Sequence, residues 1–121
     1  MRVKDEWREW HSVTDMETAL LQRLVPESSP DRSCLLSQGR AAKCRWLESR
    51  GQPALLFASA GELCTGPISG VVGEGVAIDQ DGVRIHFLLH VQDGMLKEIE
   101  VYREDGDAVI VFPSPTVIEI E

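Results

Sequence analysis

Three Asp-Gly dipeptides recur every 12 residues, in Gln80-Asp81-Gly82, Gln92-Asp93-Gly94 and Glu104-Asp105-Gly106. No other feature of the chain limits its architecture so tightly. Asp tolerates tight turns, and Gly enters the left-handed region without steric cost. Between apolar runs, each triplet reads as a three-residue hairpin loop: a type I turn closed by a left-handed Gly that forms a bulge. Strands are then expected at 70–79, 83–91, 95–103 and 107–112, with successive turns at opposite ends, as in an antiparallel meander. A calcium loop is excluded. With Gly82 at its sixth position, Ala77 would stand first and Leu88 twelfth, and neither can ligate.

The turn type sets the register, and the register sets the faces. With three-residue loops, Val91 pairs with Met95, Phe87 with Ile99 and Ile85 with Val101. One face then carries Ile85, Phe87, Leu89, Ile99, Val101, Val109 and Val111, a core stripe. The other carries Val76, Ile78, Arg84, His86, Leu88, Glu98, Glu100, Tyr102, Ile110 and Phe112. It is mixed, with His86 across from Glu100. Either a partner or ligand uses it, or the segment 26–67 folds over it.

Upstream, Thr14-Asp15-Met16-Glu17 fits a capping box, followed by apolar residues at helical spacing. A helix is expected at 15–25, ended by Pro26, and it would cover the core stripe. A second short helix would start near Pro30 and stop at Gly39. Residues 42–48 and 54–59 read as a hairpin around Ser49-Arg50-Gly51-Gln52-Pro53, with a helix as the alternative for the first arm. The closing Thr116-Val117-Ile118-Glu119-Ile120-Glu121 reads as a last strand. The expected fold is a single α+β domain, with one or two N-terminal helices on an antiparallel β-meander sheet of about five to seven strands.

Charge bears on partners. The net charge is −8. Residues 1–50 hold nine Lys/Arg against eight Asp/Glu, and residues 51–121 hold three against twelve, so the second half carries −9. Such a half repels nucleic acid and suits a basic protein partner. No apolar run approaches the ~18 residues of a membrane span. The charged N-terminus lacks a secretory h-region, and three cysteines at unrelated spacings suggest reduced thiols, so a cytoplasmic location is expected.

No chemistry-bearing motif assembles. His86 and His90 lie roughly 13 Å apart on a strand at ~3.3 Å per residue, too far for one metal ion. Gly66-Pro67-Ile68-Ser69-Gly70 lacks nucleophile-elbow spacing. The Gly-rich stretch Gly70-Val71-Val72-Gly73-Glu74-Gly75 inverts the dinucleotide order and precedes a strand. It reads as a bulged strand start. No catalytic residue, metal site or cofactor is expected.

The segment from Ala77 to Asp105, with its Asp-Gly turns and the run Glu98-Ile99-Glu100-Val101-Tyr102-Arg103, resembles a family of small bacterial proteins of unknown function. The resemblance implies a helix followed by an antiparallel sheet, and no activity. The expected function is a non-enzymatic protein-binding module, immunity- or antitoxin-like toward a basic partner. Its contact residues would be His86, Glu98, Glu100, Tyr102 and Phe112. The alternative is a small-molecule binder or enzyme with a pocket near His86 and Glu100. A third reading is a homodimer through the mixed face or the C-terminal edge.

Overall fold

The computed structural model describes residues 5–58, 61–64 and 68–121. Among these residues the helices are α1 (Asp5–Arg8), α2 (Asp15–Leu24) and α3 (Arg32–Ala41). The strands are β1 (His11–Ser12), β2 (Lys43–Ser49), β3 (Gln52–Ala58), β4 (Gly70–Ile78), β5 (Arg84–Gln92), β6 (Met95–Arg103) and β7 (Glu119–Ile120). They form one antiparallel sheet in the spatial order β1-β2-β3-β6-β5-β4-β7. The fold is α+β, as expected.

The local signals at the N-terminus hold. Thr14 caps α2: its hydroxyl accepts from Glu17 N (3.3 Å), and its own N–H donates to Glu17 Oε1 (2.9 Å). Such a cap stabilises a helix by about 1 kcal/mol. Leu20, Leu21 and Leu24 project from it into the core. α3 runs two residues past Gly39, where a stop was expected. Gly39 serves packing instead, since a Cβ there would lie 2.3 Å from Leu21 Cδ2. The hairpin β2–β3 forms around Arg50 and Gly51, both at positive φ. Residue 59, the expected end of its second arm, lies outside the described residues.

The Asp-Gly turns differ from one another. At the first, Asp79 N donates to Val83 O (2.8 Å), Gly82 N to Asp79 O (2.9 Å), and Gly82 has φ 88°, the expected loop. At the second, Asp93 (φ 51°) and Gly94 (φ 76°) make a two-residue turn, so Gln92 rather than Val91 faces Met95. The ladder slips by one at Lys97, between the pairs Val91–Leu96 and His90–Glu98. Beyond that bulge Leu89 faces Ile99 and Phe87 faces Val101. The pairing is two residues from expectation, and an even shift leaves every side chain on its expected face. Gln38 of α3 fixes this corner: its Oε1 accepts from Leu96 N and its Nε2 donates to Gly94 O, both at 2.8 Å.

The third turn begins no hairpin. A strand at 107–112 would need the free edge of β6, and β3 occupies that edge through Ala54–Glu100, Leu55–Ile99 and Leu56–Glu98. The chain leaves the sheet instead. Val109 enters the core, while Ile110 and Val111 stay exposed. Phe112 turns to the helical side, edge-on to Trp46 and Phe87 at ring-centroid distances of 5.4 and 5.8 Å. Its expected place on the face with Tyr102 is therefore corrected, because strand alternation does not apply where there is no strand.

The Gly-rich stretch of β4 also has a packing reason. A Cβ on Gly73 would lie 2.1 Å from the Leu24 carbonyl oxygen, and one on Gly75 would lie 2.6 Å from Ile118 Cγ2. These glycines let the end of α2 and the C-terminal segment close on the sheet. The helices and residues 109–118 thus bury one face around Leu20, Leu24, Trp46, Phe87, Leu89 and Ile99. Among the described residues of 26–67, α3 lies on the core side and β2 and β3 belong to the sheet itself, so none of these elements covers the other face.

Candidate functional site

The open face is built by alternation along the central strands. β5 presents His86, Leu88 and His90, β6 presents Glu98, Glu100 and Tyr102, and β3 presents Ala54 and Leu56, all half-buried. Leu47 and Ile78 extend it outward and are exposed. At one margin the Arg45 guanidinium lies over the Trp10 ring, 5.6 Å from its centroid. Of the five expected contact residues, His86, Glu98, Glu100 and Tyr102 share this face, and Phe112 does not. The two-residue register change re-pairs them. His86 faces Tyr102 and stacks on it at 4.9 Å, with Glu104 3.5 Å away. His90 takes Glu100 at 2.9 Å. The expected His86–Glu100 pair does not form.

No pocket stands at that pair among the described clefts. One cleft, about 870 Å³, lies between the end of α2 and strands β4 and β7. Another, about 410 Å³, is lined by Trp7, Met16, Trp46, Phe112 and Pro113–Pro115.

The acidic half is partly spent inside the fold. Arg103 is buried and bonds the carboxylates of Asp79, Asp81 and Asp105. Asp79 also accepts from the backbone N–H groups of Ile110 and Val111. Burial pushes the Asp79 carboxyl up, but these donors, Gln80 N–H and Arg103 outweigh it and hold its pKa at about 2.

A second constellation lies on the helical side. β1 pairs with β2 so that His11 faces Cys44, and the capping residue Glu17 points at both. His11 Nε2 lies 3.0 and 2.9 Å from the two Glu17 oxygens, Cys44 Sγ lies 3.4 Å from Glu17 Oε1, and Trp46 Nε1–H donates to Glu17 Oε2 at 2.7 Å. Burial would lower the His11 pKa, yet the Glu9 carbonyl and Glu17 raise it. Burial would raise that of Glu17, yet Thr14, His11 and Cys44 lower it. The residue types are those of a thiol nucleophile with its base and orienting acid. The arrangement is different. Cys44 is fully buried, and burial with the adjacent carboxylate pushes its thiol up, away from the reactive thiolate. The sequence offered only the capping box as a hint, since a two-residue strand leaves no periodic signal.

Cys34 and Cys64 are joined in a disulfide, with Cα atoms 5.6 Å apart. The expectation of three reduced thiols is therefore corrected, and Cys44 is the free one. An odd count does not reveal that α3 and the segment before β4 bring two cysteines together.

The family model for a domain of unknown function, DUF6984, matches residues 11–113. The chain belongs to the DUF6984 family. The matched span runs from His11 to Pro113 and so contains both the open sheet face and the His11-Glu17-Cys44 cluster of this DUF6984 chain. No curated protein and no solved structure matches it. Among the described residues, no helix is long and apolar enough to cross a membrane.

Proposed function

We propose that this DUF6984 protein is a non-enzymatic binding module that holds a basic protein partner on the open face of its sheet, as an immunity protein or antitoxin masks a basic toxin. One observation carries the reading. The central strands expose a continuous surface in which Leu56, Leu88 and Tyr102 alternate with Glu98 and Glu100, and no described element covers it. Partner surfaces combine apolar and aromatic groups with charges that steer encounter. The net charge of −8 favours a basic partner.

The test is capture of partners by the tagged protein at low and high salt, beside Glu98→Lys/Glu100→Lys. A stoichiometric basic partner that the double variant or high salt releases supports the reading. A partner retained equally by the double variant moves the contact off this face.

A second reading, small-molecule binding, is favoured by the aromatic cleft beside Trp46 rather than by His86 and Glu100. Its lining of Trp7, Met16, Trp46 and Phe112 suits an apolar ligand. A thermal-shift screen of apolar compounds, with Met16→Trp to fill the cleft, tests it. A hit unaffected by the variant binds elsewhere.

A further inference from the structure

We propose that His11, Glu17 and Cys44 form a binding site for a divalent transition-metal ion, with zinc the best match to the ligand set. This inference does not depend on the binding-module reading. Its ground is the ligand chemistry and the distances. Imidazole nitrogen, carboxylate oxygen and thiolate sulfur are the three donor types that zinc accepts from proteins. Bond lengths of about 2.0–2.3 Å around a tetrahedral zinc put neighbouring ligand atoms roughly 3.3–3.6 Å apart. Cys44 Sγ is 3.4 Å from His11 Nε2 and 3.4 Å from Glu17 Oε1, and Nε2 is 3.0 Å from the same Oε1. Only the His11–Glu17 edge must open, by a few tenths of an ångström.

The surroundings are those of a held ligand set. His11 Nδ1 lies 2.8 Å from the Glu9 carbonyl oxygen. A carbonyl only accepts, so Nδ1 carries a proton and Nε2 is the atom turned to the cluster. A backbone carbonyl on the far nitrogen is the usual outer-shell partner of a ligating histidine. Glu17 is oriented by Trp46 Nε1–H at 2.7 Å and by Thr14 through both N–H and hydroxyl at 2.9 Å. Cys44 is fully buried, on a strand fixed by pairing on both sides.

The exchange balances. Without metal, Nε2 faces a carboxylate, so that contact carries a proton and His11 is an imidazolium. The Cys44 thiol donates its proton to Glu17 Oε1. The cluster then sums to zero: one imidazolium, one carboxylate, one neutral thiol. A divalent cation would displace both protons, leaving neutral imidazole, carboxylate and thiolate around a charge of +2. The sum is again zero, so loading the site adds no net charge to a buried region, where charge is costly. The protein fills three positions. The fourth falls to water or an incoming ligand on the side of His11, whose side chain is 20% exposed.

The test uses cobalt(II) on the full chain with the Cys34–Cys64 disulfide intact, so that Cys44 supplies the free thiol. We expect binding at one ion per chain, with a sulfur-to-cobalt charge-transfer band and the visible bands of tetrahedral coordination, all displaced by zinc. Binding should release protons in a weakly buffered titration, one from the Cys44 thiol and a second while His11 is still an imidazolium. Cys44→Ser should abolish the charge-transfer band, and His11→Asn should weaken binding by more than about tenfold. Absence of the band in the wild type overturns the site, and this result does not depend on whether any variant folds. A band that persists in Cys44→Ser places the metal elsewhere and also overturns it.

Discussion

Arg103 Nη1 lies 3.0 Å from Asp79 Oδ2, and the two side chains are 4% and 0% exposed. They join the first and third Asp-Gly turns at one end of the sheet. The same carboxylate holds the backbone of Ile110 and Val111, so it anchors the segment that leaves the sheet after β6. Its pKa falls from 3.8 to about 2 on folding. A depressed carboxylate contributes stability above its unfolded pKa and loses it as pH falls through the folded one. Unfolding midpoints should therefore hold steady above about pH 5 and decline between about pH 4 and pH 2. In Asp79→Asn the midpoint should be lower at neutral pH and the acid decline shallower. Urea unfolding across this range checks it; an unchanged acid slope in the variant would show that Asp79 is not the group responsible.

Glycines 39 and 73 both fill close contacts, yet their substitution should differ. A Cβ at Gly73 meets the Leu24 carbonyl, part of a helix backbone, at 2.1 Å. At Gly39 it meets the terminal methyl of Leu21, which can rotate, and Ala gains about 1 kcal/mol of helix propensity over Gly. Gly73→Ala should cost about 3 kcal/mol, and Gly39→Ala about 1 kcal/mol or less. Equal losses by chemical denaturation would mean that the end of α2 yields as easily as a side chain.

How much could be read from the sequence follows the range of each interaction. The capping box Thr14–Glu17 and the Gln80-Asp81-Gly82 turn are local, and both are found. Face assignment on β5 and β6 survived a wrong register because the error was even, whereas that of Val111 and Phe112 failed with the strand expected there. The register itself depends on Gln38, which is 58 residues from the Leu96 N–H it binds. The strand expected at 107–112 failed because β3 competes for the same edge, a contest between segments far apart in the chain. His11, Glu17 and Cys44 meet only once β1 has paired with β2. Of the candidate contact residues, the four on regular strands share a face and Phe112, beyond the last strand, does not.

Glu17 is both a helix cap and the centre of a buried network, and the two roles can be separated. Thr14→Ala removes one side of the capping box and should cost about 1 kcal/mol. Glu17→Ala also strips His11, Trp46 Nε1–H and the Cys44 thiol of their shared acceptor. Leaving such groups buried and unpaired should cost about 3 kcal/mol or more. The comparison is made by urea unfolding at neutral pH. Matching losses would reduce Glu17 to its capping role.

The Cys34–Cys64 bridge closes a separation of 30 residues, spanning α3 and the β2–β3 hairpin. A loop of that length corresponds to about 3–4 kcal/mol of stabilisation through the unfolded chain. Alkylation of the denatured, unreduced protein should label one thiol, Cys44, by mass, and prior reduction should raise the count to three. Cys34→Ala/Cys64→Ala should lower the unfolding midpoint as far as reductant lowers that of the wild type, and reductant should then have no further effect. Three labelled thiols without reduction would remove the bridge, and with it the assurance that Cys44 alone supplies sulfur to the His11-Glu17-Cys44 cluster.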